Sequence, residues 1–318
     1  MLVYVLKRIF YICFILVIVS ILVFAITQIL PGNVARMVLG QFATEETLRA
    51  LEEKFGLYDP LPVQYWRWAS SILRGDLGNS LIMERPIAPM LKISLERSVT
   101  LAFTSMFFVT LIGIGLGVIA AVKQNRAADH AVSIFSYFGI SVPEFFWGIV
   151  FILFFARYLN WVPPSGYVPL SEGFWNWLSR LILPTATLTF SLIAHVSRLT
   201  RSSMLETLRS PYITMARAKG LPERVVLIRH GLRNALLPTI TVLALDIGRL
   251  FGGIVVVETV FAFPGLGRLL IFSIIHRDLP IIQVSILLIT AIYSLSNLVA
   301  DLLYAYLNPR IRYETKAG

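Results

Sequence analysis

With one cysteine in 318 residues, the chain cannot form an intrachain disulfide or a cysteine-based metal cluster. That residue, Cys13, sits inside an apolar run and reads as a small buried side chain. Charge is also scarce: Asp, Glu, Lys and Arg make up 14% of the residues, where a soluble domain carries about 25%. No H-E-x-x-H string occurs, and the four histidines (His130, His195, His230, His276) are scattered, so no metal site is expected. No G-x-x-x-x-G-K-[ST] phosphate loop is present, so this chain is not expected to bind ATP. Ser191 and His195 stand at i, i+4, but a polar pair packing between helices explains them better than a hydrolytic dyad. No catalytic residue is expected.

What the chain has in abundance is apolar surface. Hydrophobic residues make up 57% of the sequence, and the mean hydropathy is +0.75. Apolar runs long enough to cross a bilayer recur, near 9–30, 97–122, 131–158, 181–199, 238–261 and 281–306. The fold class is therefore an all-α integral membrane protein with six transmembrane helices. The first run follows Lys7 and Arg8 and exceeds the ~7–15 residue core of a signal peptide, so it is expected to be retained. Residues 31–96 form a polar, helical insert between spans 1 and 2, with an N-capped helix over 44–56, an amphipathic helix over 63–73 and a tight turn over 74–81. Span 2 carries Gly113, Gly115 and Gly117, small residues that permit close helix approach in lipid. Span 3 is interrupted by Pro143 and Glu144, and a Trp- and Pro-rich loop over 157–180 follows it. The sequence thus divides into a first span (1–30), an insert (31–96), a membrane core (97–307) containing a basic loop at 202–237, and a tail (308–318).

Between Arg198 and Arg233 eight basic residues face only Glu206 and Glu223. Ser210 is placed to N-cap a helix with Pro211 at its first position, and Gly220 stops it. Leu221-Pro222 opens a second helix expected to end near Leu236, before Pro238. By charge alone such a loop suits any cytoplasmic connection, or a face on anionic headgroups. The net charge of +10 is spread over membrane-flanking loops, which does not suit nucleic acid.

The strings Tyr212-Ile-Thr-Met-Ala216-Arg217-Ala218-Lys219-Gly220 and Arg233-Asn234-Ala235-Leu-Leu-Pro238 resemble the cytoplasmic "EAA" loop of binding-protein-dependent ABC importer permeases. The likeness is to the dipeptide/oligopeptide/nickel branch. It extends to the insert, through Leu-Pro-Val-Gln-Tyr at 61–65 and Gly-Asp-Leu-Gly-Asn-Ser at 75–80, and to Phe263-Pro-Gly-Leu-Gly267. The acidic residue of the motif's name is absent. The resemblance implies that Tyr212, Ala216, Arg217, Ala218, Lys219, Gly220, Arg233, Asn234 and Pro238 belong to a helix docking on an ATPase. It also implies a second homologous permease, two ATPase subunits that bind ATP and Mg, an external solute-binding protein, and a place in the cytoplasmic (inner) membrane. Peptides are the implied cargo; nickel or a small solute such as glutathione is the alternative.

Asp246, Glu258 and Glu144 are acidic residues that fall within spans. Asp246 and Arg249, at i, i+3, share a face, roughly 12 Å along from Pro238. Glu258 falls near the far interface, either lining a mouth or snorkelling to water. Glu144 lies near mid-span. Asp246, Arg249 and Glu258 are candidates for lining or bracing a pathway, though Asp246–Arg249 is equally suited to be a structural pair. These charges are also what an ion-coupled carrier working alone would need.

The charge asymmetry fixes an expected orientation. With six spans and both termini inside, fifteen Lys/Arg flank the inner side and four the outer, the long insert being left out. In a Cys13→Ser background, Lys219→Cys should react with a membrane-impermeant thiol reagent in inverted vesicles and stay unlabelled in intact cells. Labelling from outside would reverse the orientation.

Overall fold

The computed structural model describes residues 2–29 and 58–307, together with positions 44–46, 49 and 53. Most of the helix expected over 44–56, the start of the insert and the 308–318 tail lie outside the described residues. Among the described residues all regular structure is helical, apart from one isolated antiparallel bridge between Asn79 and Pro86. The helices are α1 (Leu2–Ile29), α2 (Leu61–Leu73), α3 (Ile87–Val122), α4 (Ala127–Ser141), α5 (Glu144–Tyr158), α6 (Phe174–Leu208), α7 (Pro211–Ala218), α8 (Glu223–Val260), α9 (Leu266–His276) and α10 (Leu279–Leu307). Five of them (α1, α3, α6, α8 and α10) are long and apolar enough to cross a membrane, and the bent pair α4–α5 would make six if counted as one span.

The chain divides into two compact units, one of 1–97 with 265–292 and the other of 98–264 with 293–318. In the first unit, Ile87, Leu91, Leu266, Ile281 and Val284 form the buried core. Pro60 and Pro62 start α2 where a missing N–H costs nothing, and Gly75, at φ +84°, follows its end. The rings of Tyr65 and Trp68 pack on Phe24 of α1, and the Tyr65 hydroxyl lies 2.8 Å from that of Ser20. Gln283 donates to Thr27 Oγ1 at 2.8 Å. Asp278, fully buried between α9 and α10, accepts the Ser80 hydroxyl at 2.5 Å and the N–H groups of Leu81 and Ile82 at 3.3 Å each. Sequence reading left this anchor unseen.

In the second unit α6 is central, with α3, α4, α5 and α8 packed on it. Gly113 and Gly117 bring α3 against Val196 and Thr200, and a Cβ at Gly117 would fall 2.5 Å from Thr200 Cβ. Gly115, two residues from each, has no such neighbour within 4 Å, because a helix turns its i+2 position away. Gly139 packs on Ala194 in the same way. Hydroxyl pairs join α6 to its neighbours, Ser136 to Ser197 at 3.1 Å and Thr200 to Thr239 at 3.2 Å. Arg201 grips Asp129 of α4 through two bonds of 2.5 and 2.8 Å.

Several expectations need correction. The third apolar run is two helices bent by 107°, since Pro143 holds Val142 extended (φ −112°, ψ 134°). The loop expected over 157–180 gives way at residue 174 to α6, which also runs through Pro184. Pro238 likewise lies inside α8, which passes through a π-helical segment at Val226–Leu232. Buried Ala235 and Thr239 flank that proline, so packing holds the helix where one backbone bond is lost. The segment after Gly265 forms α9, an 11-residue helix too short to register as a span.

Replacing Asp278 by Ala would strand a buried hydroxyl and two N–H groups. A loss of roughly 2–3 kcal/mol is expected, read as a lower melting temperature of the detergent-solubilised chain. Asn at the same position should recover part of it.

Candidate functional site

The basic loop folds as a helix–turn–helix with two distinct sides. Ser210 and Pro211 begin α7 as expected, but the Ser210 hydroxyl bonds back to Thr207 O at 2.6 Å instead of capping the helix. Ile213 and Ala216 are buried against Val226, with Leu208 packed beside them. Gly220 takes φ +73°, a left-handed turn that a side chain would strain. Across that turn Arg217 forks onto Glu223 at 3.1 and 2.7 Å. Asn234 donates to the Tyr212 hydroxyl at 2.9 Å and to His230 O at 3.2 Å, tying α7 to the first turns of α8.

The nine residues that the resemblance implies play unlike parts in the structure. Ala216 faces inward, Gly220 makes the turn, and Pro238 lies farther along α8. Tyr212, Arg217, Ala218, Lys219, Arg233 and Asn234 are exposed. Sequence reasoning missed the exposed apolar side chains Met215, Leu221 and Ile228, at 60%, 37% and 54% exposure. It also missed the Arg217–Glu223 pair, whose six-residue spacing across a turn follows no helical rule.

A second cluster lies between α5, α6 and α8. Asp246, fully buried, accepts from Arg249 at 3.2 Å and lies 3.3 Å from His195 Nδ1. Arg249 and His195 border a cavity of about 380 Å³, together with Glu144, Ser191 and Arg198. Asp246 thus stands behind the cavity wall and orients two residues of it. His195 pairs with Asp246, while the Ser191 hydroxyl is buried with no partner among the described residues, so the two do not act together. Glu258 is not among the cavity's lining residues. It is fully buried and accepts the Ser98 hydroxyl at 2.5 Å, so the snorkelling alternative falls. Its backbone carbonyl accepts Phe263 N–H at 2.8 Å, securing the turn that leads to α9.

The Arg217–Glu223 pair is exposed on both sides, so Arg217→Gln or Glu223→Gln should cost no more than about 1 kcal/mol. Thermal melts at low and high salt check this, and the wild-type difference should shrink with salt.

Comparison with known proteins places this geometry. Residues 113–313 match the family model "Binding-protein-dependent transport system inner membrane component", and residues 1–111 match its N-terminal companion. A probable peptide ABC transporter permease protein of Sinorhizobium fredii is 40% identical over 311 residues, covering 98% of this chain and 99% of that protein. The glutathione transport system permease GsiC of Escherichia coli K12 is 40% identical over 314 residues, covering 99% of this chain and 100% of its own. The crystal structure of an amino acid ABC transporter with histidines aligns at TM-score 0.54 and 13% identity, over 69% of this chain and 94% of that chain, a likeness of fold. These matches support an ABC importer permease. The chain belongs to the binding-protein-dependent transport system inner membrane component family, as a multi-pass ABC importer permease of the peptide/oligopeptide/nickel class.

Proposed function

We infer that this permease forms half of a peptide-translocating pathway and that α7 is the element on which a cytoplasmic ATPase subunit pushes. The observation that carries the reading is the two-sidedness of α7. Its inner side is locked by Ile213 and Ala216, and its outer side leaves Tyr212 and Met215 exposed, with Leu221 exposed in the turn beyond. Two residues separate α7 from α6, and four separate it from α8, so displacement of α7 passes into both helices with little slack.

In this reading six spans place both termini and the α7 module in the cytoplasm and the insert outside. A second, homologous permease completes the pathway, two ATPase subunits bind ATP and Mg, and an external solute-binding protein delivers cargo. ATP binding draws the two α7 modules together and favours the outward-open state; hydrolysis restores the inward one, a population shift driven by differential docking. The cargo is a peptide, in keeping with the similarity to a peptide permease, and glutathione, itself a tripeptide, falls within the same chemistry. The membrane is the cytoplasmic one.

Met215→Glu, a surface change, should leave stability within about 0.5 kcal/mol. It should nevertheless lower ATP hydrolysis stimulated by loaded binding protein about tenfold in the reconstituted complex. Ile213→Ala should instead destabilise the chain by about 2–5 kcal/mol. Full ATPase stimulation in a stable Met215→Glu complex would refute docking through this face.

A further inference from the structure

We propose that the cavity between α5, α6 and α8 is a binding site within the permease for a zwitterionic solute, with Arg198 and Arg249 taking its carboxylate and Glu144 its amine. This rests on the reading of the chain as a solute pathway and adds a recognition step inside the membrane core, after capture by the external protein.

The argument begins with the charges. Ionisable side chains within spanning segments are costly and are normally paired or set along a polar path. Away from the cavity Arg201 pairs with Asp129, and at its wall Arg249 pairs with Asp246. Around this cavity the pairing is incomplete. Arg198, which is exposed in α6, and Glu144 border the same space, yet neither makes an ion pair or hydrogen bond among the described residues, with each other or with anything else. The Ser191 hydroxyl, also on the wall, is buried and unpartnered. A structural salt bridge would have closed the gap between Arg198 and Glu144. The open gap leaves one positive and one negative group to be satisfied by something that carries both signs.

The shape fits such an occupant. A volume of about 380 Å³ falls within the ~300–1,000 Å³ range of small-molecule sites. The Arg249 side chain is 65% exposed and spends one N–H on Asp246, leaving other donors of its fork for an acceptor. Two guanidinium groups bordering one cavity, Arg198 from α6 and Arg249 from α8, suit a carboxylate, which a guanidinium binds in a planar, bidentate manner. Gly253 lies against the Glu144 carboxylate, and a Cβ there would collide with it, so the glycine makes room for the acid. His195, held by Asp246 through Nδ1, keeps Nε2 as its free ring nitrogen; with the Ser191 hydroxyl it supplies hydrogen-bonding partners for an amide between the charged ends.

The test uses the whole importer, reconstituted in proteoliposomes with its ATPase subunits and saturating binding protein, and radiolabelled dialanine and glutathione as probes. Arg198→Gln and Glu144→Gln should each lower the maximal uptake rate about tenfold. The half-saturating solute concentration, set by the external protein, should move less than twofold. Solute moved per ATP should also fall, which a general folding defect would not produce, and Arg198→Lys, which keeps the charge but loses the fork, should restore only part of the rate. Co-purification of each variant with its partners checks assembly. Unchanged uptake and stoichiometry in assembled variants would overturn the site while leaving the importer reading intact. ATP hydrolysis by the wild type without uptake of either probe would overturn the zwitterion class. Failure of the chain to assemble with an ATPase at all would overturn the importer reading, and this site with it.

Discussion

Close approach of helices around α6 is the constraint on which the second unit depends. Within a bilayer, lipid tails are as apolar as the helix faces, so hydrophobic exclusion does not hold helices together and contact geometry must. Gly113 and Gly117 against Val196 and Thr200, and Gly139 against Ala194, supply that geometry. The buried hydroxyl pairs and the Arg201–Asp129 fork then fix the register of α6 against α4 and α8. Because α6 leads within two residues into α7, the contacts that fix α6 also fix the exposed module.

The same helix carries both sites discussed above. Arg198 lies ten residues before the end of α6, about 15 Å along a continuous rod. Arg249 stands in the same relation to the module through α8, though farther along. A solute held by Arg198 and Arg249 would therefore sense the position of α7 through two stiff helices, with no flexible segment between. The π-helical segment at Val226–Leu232 interrupts regular winding just past the turn, the one place on this route where α8 departs from α-helical geometry.

Much of this was legible in the sequence where a local rule governs. The bounds of α7 follow from Pro211 and Gly220, and the break between α4 and α5 follows from Pro143. The i, i+3 spacing of Asp246 and Arg249 put them in reach of each other. A rule of the same local kind misled at Pro238, where the helix continues despite one lost hydrogen bond. Such rules also missed α9, whose short run begins in a Pro-Gly turn, and they treated Gly115 like its neighbours although periodicity points it elsewhere. Glu258 read as an interfacial charge because distance along a helix says nothing of which neighbours enclose it.

Composition and apolar run length, acting through the bilayer's demand that backbone groups be satisfied internally, determined from sequence alone that the chain is helical and crosses a membrane several times. The paired loop strings determined the family resemblance. Only the tertiary structure decided that Asp246 serves His195 as well as Arg249, that Glu258 and Asp278 are buried anchors, and that Arg198 and Glu144 border one cavity unpaired. Each of those facts joins residues tens to hundreds of positions apart, and no local periodicity encodes such distances; they are set when helices close on one another.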